Sequence, residues 1–159
     1  MIRKVVMLCT GIVLVTTVAL VQGAPVTPRD EVLQFVKSYI DASNKGDATA
    51  IMDMTSRKST VSSVAEGKII RGWEAIRNSV DEEIGSPESE KMTLGVVDVQ
   101  TLGPNNALAL APFSATVSTP QGELQVRGAL TLVLERTGGQ WKMLHEHASF
   151  EIPEAPKGD

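Results

Sequence analysis

Residues 134–152 read LERTGGQWKMLHEHASFEI, with two adjacent glycines between two runs that contain alternating apolar residues. Gly138-Gly139 is typical of the two-residue loop of a β-hairpin. In the register that this loop sets, Glu135 faces Lys142 and forms an opposite-charge pair. The segment therefore predicts two long antiparallel strands, Glu123 to Arg136 and Trp141 to Ile152.

Two further strands and three helices are predicted before this hairpin. The first helix begins at Pro28 with Thr27 as its N-cap and ends at Lys45-Gly46, and a short second helix follows Asp47. The remaining elements are an extended piece at Gly67–Gly72, a third helix at Trp73–Ile84, and strands at Met92–Leu102 and Ala107–Ser118. Helices first and a strand meander second indicate an α+β domain whose sheet curls around the helices.

The first 23 residues have the features of a secretory signal peptide. Arg3 and Lys4 precede an almost wholly apolar run from Val5 to Leu20, and small residues lead to a predicted cleavage after Gly23. We therefore expect a periplasmic or secreted protein without stable membrane association after cleavage. An uncleaved anchor is the alternative, because the apolar run is barely long enough to span a bilayer. The predicted organisation is a signal peptide at 1–23, one domain at 24–152 and a disordered tail at 153–159.

Charge and cysteine content narrow the function classes. Cleavage removes Arg3 and Lys4 from the 15 basic side chains and leaves all 19 acidic ones, so the net charge changes from −4 to −6. An acidic domain lacks the basic footprint that nucleic acid requires. The single cysteine, Cys9, lies in the signal segment. Stability without a disulfide must therefore come from the apolar core.

His145 and His147 are the two histidines of the chain. An uninterrupted hairpin register puts them with Ser149 on the leucine-rich face, opposite Leu132, Leu130 and Gly128. That face is expected to point inward, which leaves three interpretations. The imidazoles are satisfied structural groups, they bind or protonate a ligand in a cavity, or they hold a metal with a carboxylate such as Asp53. Because the mature chain has no third histidine or cysteine, we predict no metal and no cofactor.

The chain from Pro28 to Ile152 resembles the nuclear-transport-factor-2-like superfamily, and within it the SnoaL-like and ketosteroid-isomerase-like branch. The resemblance lies in YIDASNKGDATAIMDM at 39–54, in the G-x-x-x-x-G-W-E-A-I pattern at 67–76 and in GGQWKMLHEHASF at 138–150. It implies a cone-shaped α+β barrel in which three N-terminal helices pack on a strongly bent, mostly antiparallel sheet. It also implies a pocket inside the cone and a homodimer through the outer sheet face.

The steroid isomerases of this branch use a tyrosine, a carboxylate base and a second, protonated acid. Tyr39 matches the tyrosine, whereas the base falls at Ser62 or Ser63 and the second acid falls at or near Leu130. Two of the three groups are therefore absent, which argues against ketosteroid isomerase activity. His147, expected opposite Leu130, is a candidate replacement acid or base beside Tyr39.

Three functions remain open, and the sequence does not decide whether the domain is an enzyme. The first is an exported protein that binds a small apolar molecule. The second is a lyase, isomerase or cyclase that uses Tyr39 and His147 as an acid–base pair. The third is a dimerisation or assembly module without catalysis. The predicted pocket residues are Tyr39, Met54, Trp73, Phe113, Leu130, Leu132, His145, His147 and Ser149.

Overall fold

The computed structural model describes residues 26–85, 89–119 and 122–151. The predictions for residues 1–23 and 153–159 lie outside these ranges. The elements are, in chain order, α1 Pro28–Lys45, α2 Ala48–Met54, β1 Ser62–Ala65, β2 Lys68–Arg71, α3 Trp73–Gly85, β3 Ser89–Leu94, β4 Asp98–Thr101, β5 Asn106–Thr119, β6 Gly122–Thr137 and β7 Gln140–Glu151. Within the described ranges, no helix is long and apolar enough to cross a membrane.

Both ends of α1 are capped as its sequence predicts. The Thr27 hydroxyl accepts from the backbone N–H of Asp30, and the Asp30 carboxylate accepts from the backbone N–H of Thr27, which forms a capping box. At the other end Gly46 adopts a left-handed conformation with φ 65°, which glycine takes without steric cost. These caps fix the limits of α1 while its apolar face packs on the sheet.

The other two helices also match their predictions. The side chain of Asp47 accepts from Ala50 N at the start of α2. Along α3, the residues that pack on the core recur at helical spacing, namely Trp73, Ile76 and Val80. Glu83 follows Val80 by three residues and therefore continues the same stripe.

One strongly curled, unclosed sheet receives the helices on its concave side. Its strand order is β2-β1-β7-β6-β5-β3, and β4 pairs with β5 beside β3. Among the seven described strands all pairings are antiparallel except that of β1 with β7, and an isolated bridge between Thr55 and Met143 is also parallel. The sequence predicted the extended piece around β2 but missed β1, a four-residue strand whose pairing with β7 involves residues more than 80 positions away.

The predicted strand at Met92–Leu102 is interrupted, and it forms β3 and β4. Leu94 pairs with Phe113 and Asp98 pairs with Leu110, so three residues on one strand face two on the other. This bulge changes the alternation of inward- and outward-facing side chains, so both Leu94 and Val97 pack on the core. A glycine suits the site, because a Cβ at Gly95 would lie 2.9 Å from the Pro112 ring.

A second bulge lies in β7 at Leu144. The pairs Glu135–Lys142 and Leu134–Met143 have the predicted register, but Val133 then pairs with His145. Leu144 is therefore the extra residue, and every later residue of β7 faces the side opposite to the predicted one. The uninterrupted register predicted from the turn is wrong beyond Met143.

Candidate functional site

The bulge at Leu144 decides which side chains of β7 enter the interior of the cone. Glu146 pairs with Leu132 and Ala148 pairs with Leu130, and both leucines are almost fully buried. Ala148 and Phe150 pack on the core from the same face. The residues that alternate with them, which include the two histidines, lie on the outer face of the sheet.

Tyr39 and Glu146 form a hydrogen bond inside this interior. The Tyr39 hydroxyl donates to Glu146 Oε2 at 3.0 Å and links α1 to β7. The tyrosine is 6% exposed, and its ring stacks on Phe35 one turn earlier in α1. Glu146 lies beside Ser63, its pairing partner on β1, which is one of the two positions where the family resemblance implies a carboxylate base. The carboxylate that reaches Tyr39 is therefore on the neighbouring strand.

The electrostatic environment keeps this phenol protonated. Burial, followed by the neighbouring Glu146 carboxylate, raises the pKa of Tyr39 well above its ordinary value, and Glu83 of α3 contributes in the same direction. Glu83 is itself affected, because partial enclosure and then the Glu66 carboxylate raise its pKa. Glu83 itself is exposed on α3.

Half-buried apolar residues lie next to the core on three elements, one of which is β7, the strand of Glu146. Trp73 and Val80 of α3, Ile70 of β2 and Ala148 and Phe150 of β7 pack on the core but remain only half-buried. α3, β2 and the second half of β7 therefore carry partly accessible apolar surface next to the core. A few polar groups within apolar walls are the usual composition of a ligand site.

One glycine allows the aromatic packing at this end of the interior. Phe113 of β5 and Phe150 of β7 meet edge to face with ring centroids 5.5 Å apart. Gly128 of β6 lies between them, where a Cβ would be 2.5 Å from Phe113 Cζ and 2.1 Å from the Ser149 carbonyl oxygen. The bare backbone at position 128 lets both rings approach the sheet.

The structure places the histidines away from the predicted pocket. His145 Nδ1 lies 2.8 Å from Ser62 Oγ on the outer face, and His147 is exposed. His147 pairs with Thr131 and not with Leu130. The structure therefore does not bring Tyr39 and His147 together as an acid–base pair. Ser149 is also on the outer face, where its hydroxyl donates to the Ala129 carbonyl at 3.4 Å.

The remaining predicted pocket residues lie on the inner side of the sheet. Phe113, Leu130 and Leu132 are buried in the core, and Met54 and Trp73 pack against it. Asp53, the carboxylate considered for a metal site, is exposed on α2. Within the described parts of the chain, no three histidine, cysteine, aspartate or glutamate side chains are grouped as a metal site would require.

Sequence reasoning missed Glu146, although a signal for it is present. The apolar residues of β7 fall on odd positions at Trp141 and Met143 and on even positions at Ala148 and Phe150. A change of phase within one strand is the mark of a bulge. With the bulge placed between these pairs, Glu146 joins the inner face.

Two surface grooves of about 420 Å³ each lie apart from the Tyr39–Glu146 pair. One is an apolar groove between α1 and β3, and the other is a polar groove beside the loop that follows α2. Neither is lined by Tyr39 or Glu146. We place the candidate site at the pair, because a phenol and a carboxylate meet there beside a core that half-buried apolar residues border.

The fold and the family are confirmed by comparison with known proteins. A family model described as the SnoaL-like domain matches residues 32–153. The chain belongs to the SnoaL-like domain family. A search of curated proteins finds no match.

Solved structures similar to this SnoaL-like domain include members of the nuclear-transport-factor-2-like family. A protein from Streptomyces avermitilis named as a candidate dehydratase of that family has a TM-score of 0.71 at 19% identity, over 79% of this chain and 97% of that one. A superfamily member from Salmonella enterica has a TM-score of 0.71 at 18% identity, over 82% and 96%. The CaMKII hub of S. rosetta has a TM-score of 0.69 at 24% identity, over 80% and 100%. Likeness at these identities shows the fold alone.

Proposed function

We propose that this SnoaL-like domain binds a small apolar molecule inside the cone, between α1, α3 and the curled sheet. The observation that carries the proposal is the 3.0 Å bond between Tyr39 and Glu146, which lies within an apolar interior whose walls remain partly accessible. An apolar pair of similar size would join α1 to β7 without the cost of desolvating a carboxylate. The polar pair therefore favours a role towards a ligand.

A variant that fills the cone tests this proposal against a matched change on the other side of the sheet. Ala148 faces the interior and is half-buried, whereas Ala129 on the adjacent strand is exposed on the outer face. We expect Ala148→Leu to abolish binding of neutral aromatic and aliphatic alcohols found by a thermal-shift screen, and Ala129→Leu to leave it unchanged. Circular dichroism checks that both variants fold. Equal binding by both would place the ligand outside the cone.

A homodimer through the outer sheet face is a second candidate function. That face carries half-buried apolar side chains on neighbouring strands, among them Leu108, Leu110, Val133 and Leu144. Such a patch on one face is suited to a two-fold interface in which both copies use the same residues. The fold shared with the CaMKII hub agrees with an assembly role. His145 and His147 belong to this face, whereas Glu146 and Phe150 do not.

We also infer that residues 1–23 direct export to the periplasm or the medium. The mass of the protein recovered from those fractions tests this, since cleavage after Gly23 leaves Ala24 as the first residue. A full-length mass in the membrane fraction would instead support the uncleaved anchor.

A further inference from the structure

We propose that acid dissociates the homodimer, because protonation of His145 and His147 puts positive charge at the centre of the outer sheet face. This inference rests on the proposed homodimer and adds how its assembly is regulated. It follows from the position of the two imidazoles in the sheet, from their uncharged neighbours and from the distribution of the other charges on the same face.

The two histidines lie on one of the two middle strands of the sheet. β2 and β1 precede β7 and β6 in the strand order, and β5 with β3 and β4 follows them. In a face-to-face dimer the two-fold axis passes through the centre of the interface, and the residues nearest to the axis meet their own copies. His145 and His147 therefore lie close to the axis, whereas residues of β2 and β4 lie at the rim.

The row of side chains that crosses the outer face at His147 is uncharged on both sides of the imidazole. Residues that pair across strands lie side by side on the same face of a sheet. The neighbours of His147 in this row are Val64, Ile69, Thr131 and Leu110. Ile69 is 60% exposed and the imidazole is also exposed. A second copy on this face would remove both from water.

His145 lies in the adjacent row, where it is half-buried beside Ser62 and Val133. Its Nδ1 lies 2.8 Å from Ser62 Oγ. A hydroxyl donates to a neutral ring nitrogen and accepts from a protonated one, so this bond is compatible with both states of the imidazole. The two histidines together can bring two positive charges to the centre of each copy.

Across the strands, the other charged groups of these two rows lie at the rim. Arg71 of β2 ends the row of His145, and Asp98 of β4 ends the row of His147. A two-fold axis that runs along the strands lays β2 of one copy over β4 of the other, so each Arg71 meets the Asp98 of the second copy. This charge complementarity favours a second copy of the chain as the partner of the face.

Along β7 and β6, the charged groups that flank the histidines on the outer face already have partners. Glu151 lies opposite Arg127, and Lys142 donates to the Asp53 carbonyl. Glu135 of β6 is bonded to Lys58 and Ser56. In the turn beyond β1, Glu66 forms an ion pair with Lys68. Imidazoles are the side chains that ordinarily change charge between pH 5 and 8, so the histidines decide the charge at the centre of the face.

The dimer is favoured while the imidazoles are neutral, and it is lost as they take up protons. Burial of a protonated imidazole among apolar side chains is unfavourable, and like charges near the axis repel one another. The free chain therefore binds protons that the dimer excludes, and association weakens as the pH falls. With an ordinary imidazole midpoint of about 6.5, each imidazole that must be neutral weakens association about tenfold between pH 7.5 and 5.5.

Sedimentation equilibrium at pH 7.5 and 5.5 measures the dissociation constant of the dimer, and circular dichroism checks the fold at both pH values. The wild-type constant should rise about a hundredfold in acid if the two His147 side chains of the dimer act alone, and more if His145 contributes. His147→Gln should remove about a hundredfold of this change, and the double variant with His145→Gln should remove all of it. Asp98→Asn, which alters a charge at the rim, should leave the ratio of the two constants unchanged.

A measurement on the wild type alone gives an independent test. Calorimetry of dimer dissociation on dilution at pH 6, in two buffers with different ionisation enthalpies, counts the protons that are taken up. We expect an uptake of about one to four protons per dimer. Dissociation without proton uptake would overturn the proposal.

The outcomes separate the pH dependence from the homodimer itself. Equal dissociation constants at pH 7.5 and 5.5 would refute the pH dependence and leave the homodimer. The same conclusion would follow if the double variant dissociates in acid as the wild type does. A wild-type monomer at pH 7.5 and micromolar concentration would remove the homodimer and its pH dependence together.

Discussion

Tyr39 Oη and Glu146 Oε2 lie 3.0 Å apart, although their residues are 107 positions apart in the chain. The bond joins the first helix to the last strand, and it exists because one extra residue at Leu144 turns Glu146 inward. His147, the next residue, consequently faces the outside. The contents of the candidate site thus depend on a single bulge.

Tyr39→Phe should lower the free energy of unfolding by about 0.5–1.5 kcal/mol at pH 7, the usual net value of one hydrogen bond. The variant should also change how the free energy of unfolding falls at alkaline pH. Burial and then Glu146 raise the pKa of Tyr39 in the folded protein well above the reference value of 10.0. The stabilisation is therefore complete below that value and is lost as the pH rises towards the folded pKa.

Urea unfolding between pH 8 and 11 measures this difference. Wild-type protein should lose more stability above pH 10 than Tyr39→Phe does. Because Tyr39 is the sole tyrosine of the chain, its ionisation can also be followed by ultraviolet absorbance. A phenol that titrates in the folded protein at the ordinary pH would contradict the buried bond.

Glu135→Gln should destabilise the protein at neutral pH and matter less in acid. Glu135 is 5% exposed. Its carboxylate accepts a 2.6 Å hydrogen bond from Ser56 Oγ and forms an ion pair with Lys58. Burial alone would raise its pKa, but the bonds from Lys58 and Ser56 outweigh burial and hold the pKa below its usual value. Its stabilisation is therefore present above the ordinary glutamate pKa of 4.5 and is lost as the pH falls through the lower folded value.

We expect a loss of about 1 kcal/mol at pH 7, a modest value because the Lys58 side chain is 58% exposed and its ion pair is screened by solvent. Thermal unfolding at pH 7, 4.5 and 3 measures the loss, and the gap between wild type and variant should narrow at the lowest pH. A gap that widens in acid would refute the assignment. The pair predicted from the turn, Glu135 with Lys142, has the correct register, but Lys142 donates instead to the Asp53 carbonyl at 2.5 Å.

Gly128→Ala should cost about 1–3 kcal/mol, the range for overpacking a filled core. Its Cβ would lie 2.1 Å from the Ser149 carbonyl oxygen and 2.5 Å from Phe113 Cζ. Chemical denaturation measures the loss, with Ala129→Ser on the exposed outer face as a control that should change stability by less than about 0.5 kcal/mol. Equal effects of the two changes would mean that the rings do not pack over position 128.

Leu110→Glu should dissociate the proposed homodimer, because Leu110 lies half-buried on the outer sheet face beside Thr131. Leu102→Glu is the control, since Leu102 is 53% exposed outside the strands. Light scattering at micromolar concentration should show a dimer for wild type and Leu102→Glu and a monomer for Leu110→Glu. A wild-type monomer would remove the assembly role.

His147→Ala should leave ligand affinity in the cone unchanged, because the imidazole is exposed on the side of the sheet away from Tyr39. Calorimetry with the tightest-binding alcohol from the thermal-shift screen checks this against Ala148→Leu. A tenfold loss of ligand affinity in His147→Ala would mean that this histidine belongs to the binding site.

Local patterns in the sequence predicted most of the fold. Thr27, Gly46 and the Gly138-Gly139 loop act on their immediate neighbours, so capping and turn preferences were enough to place α1 and the last hairpin. The family resemblance predicted that these elements form a cone-shaped barrel. The strand β1 escaped prediction because four residues carry little periodicity and their pairing with β7 is a long-range contact.

The sequence by itself determined the order of helices and strands, the limits of α1 and the register next to the glycine turn, because each depends on residues close together in the chain. The tertiary structure decided which face of the second half of β7 is inside, and the sequence signals it only through the changed spacing of the apolar residues in that strand. A strand has a period of two, so one extra residue at Leu144 exchanges the buried and exposed sides of everything that follows. The bulge brings Glu146, not His147, to Tyr39.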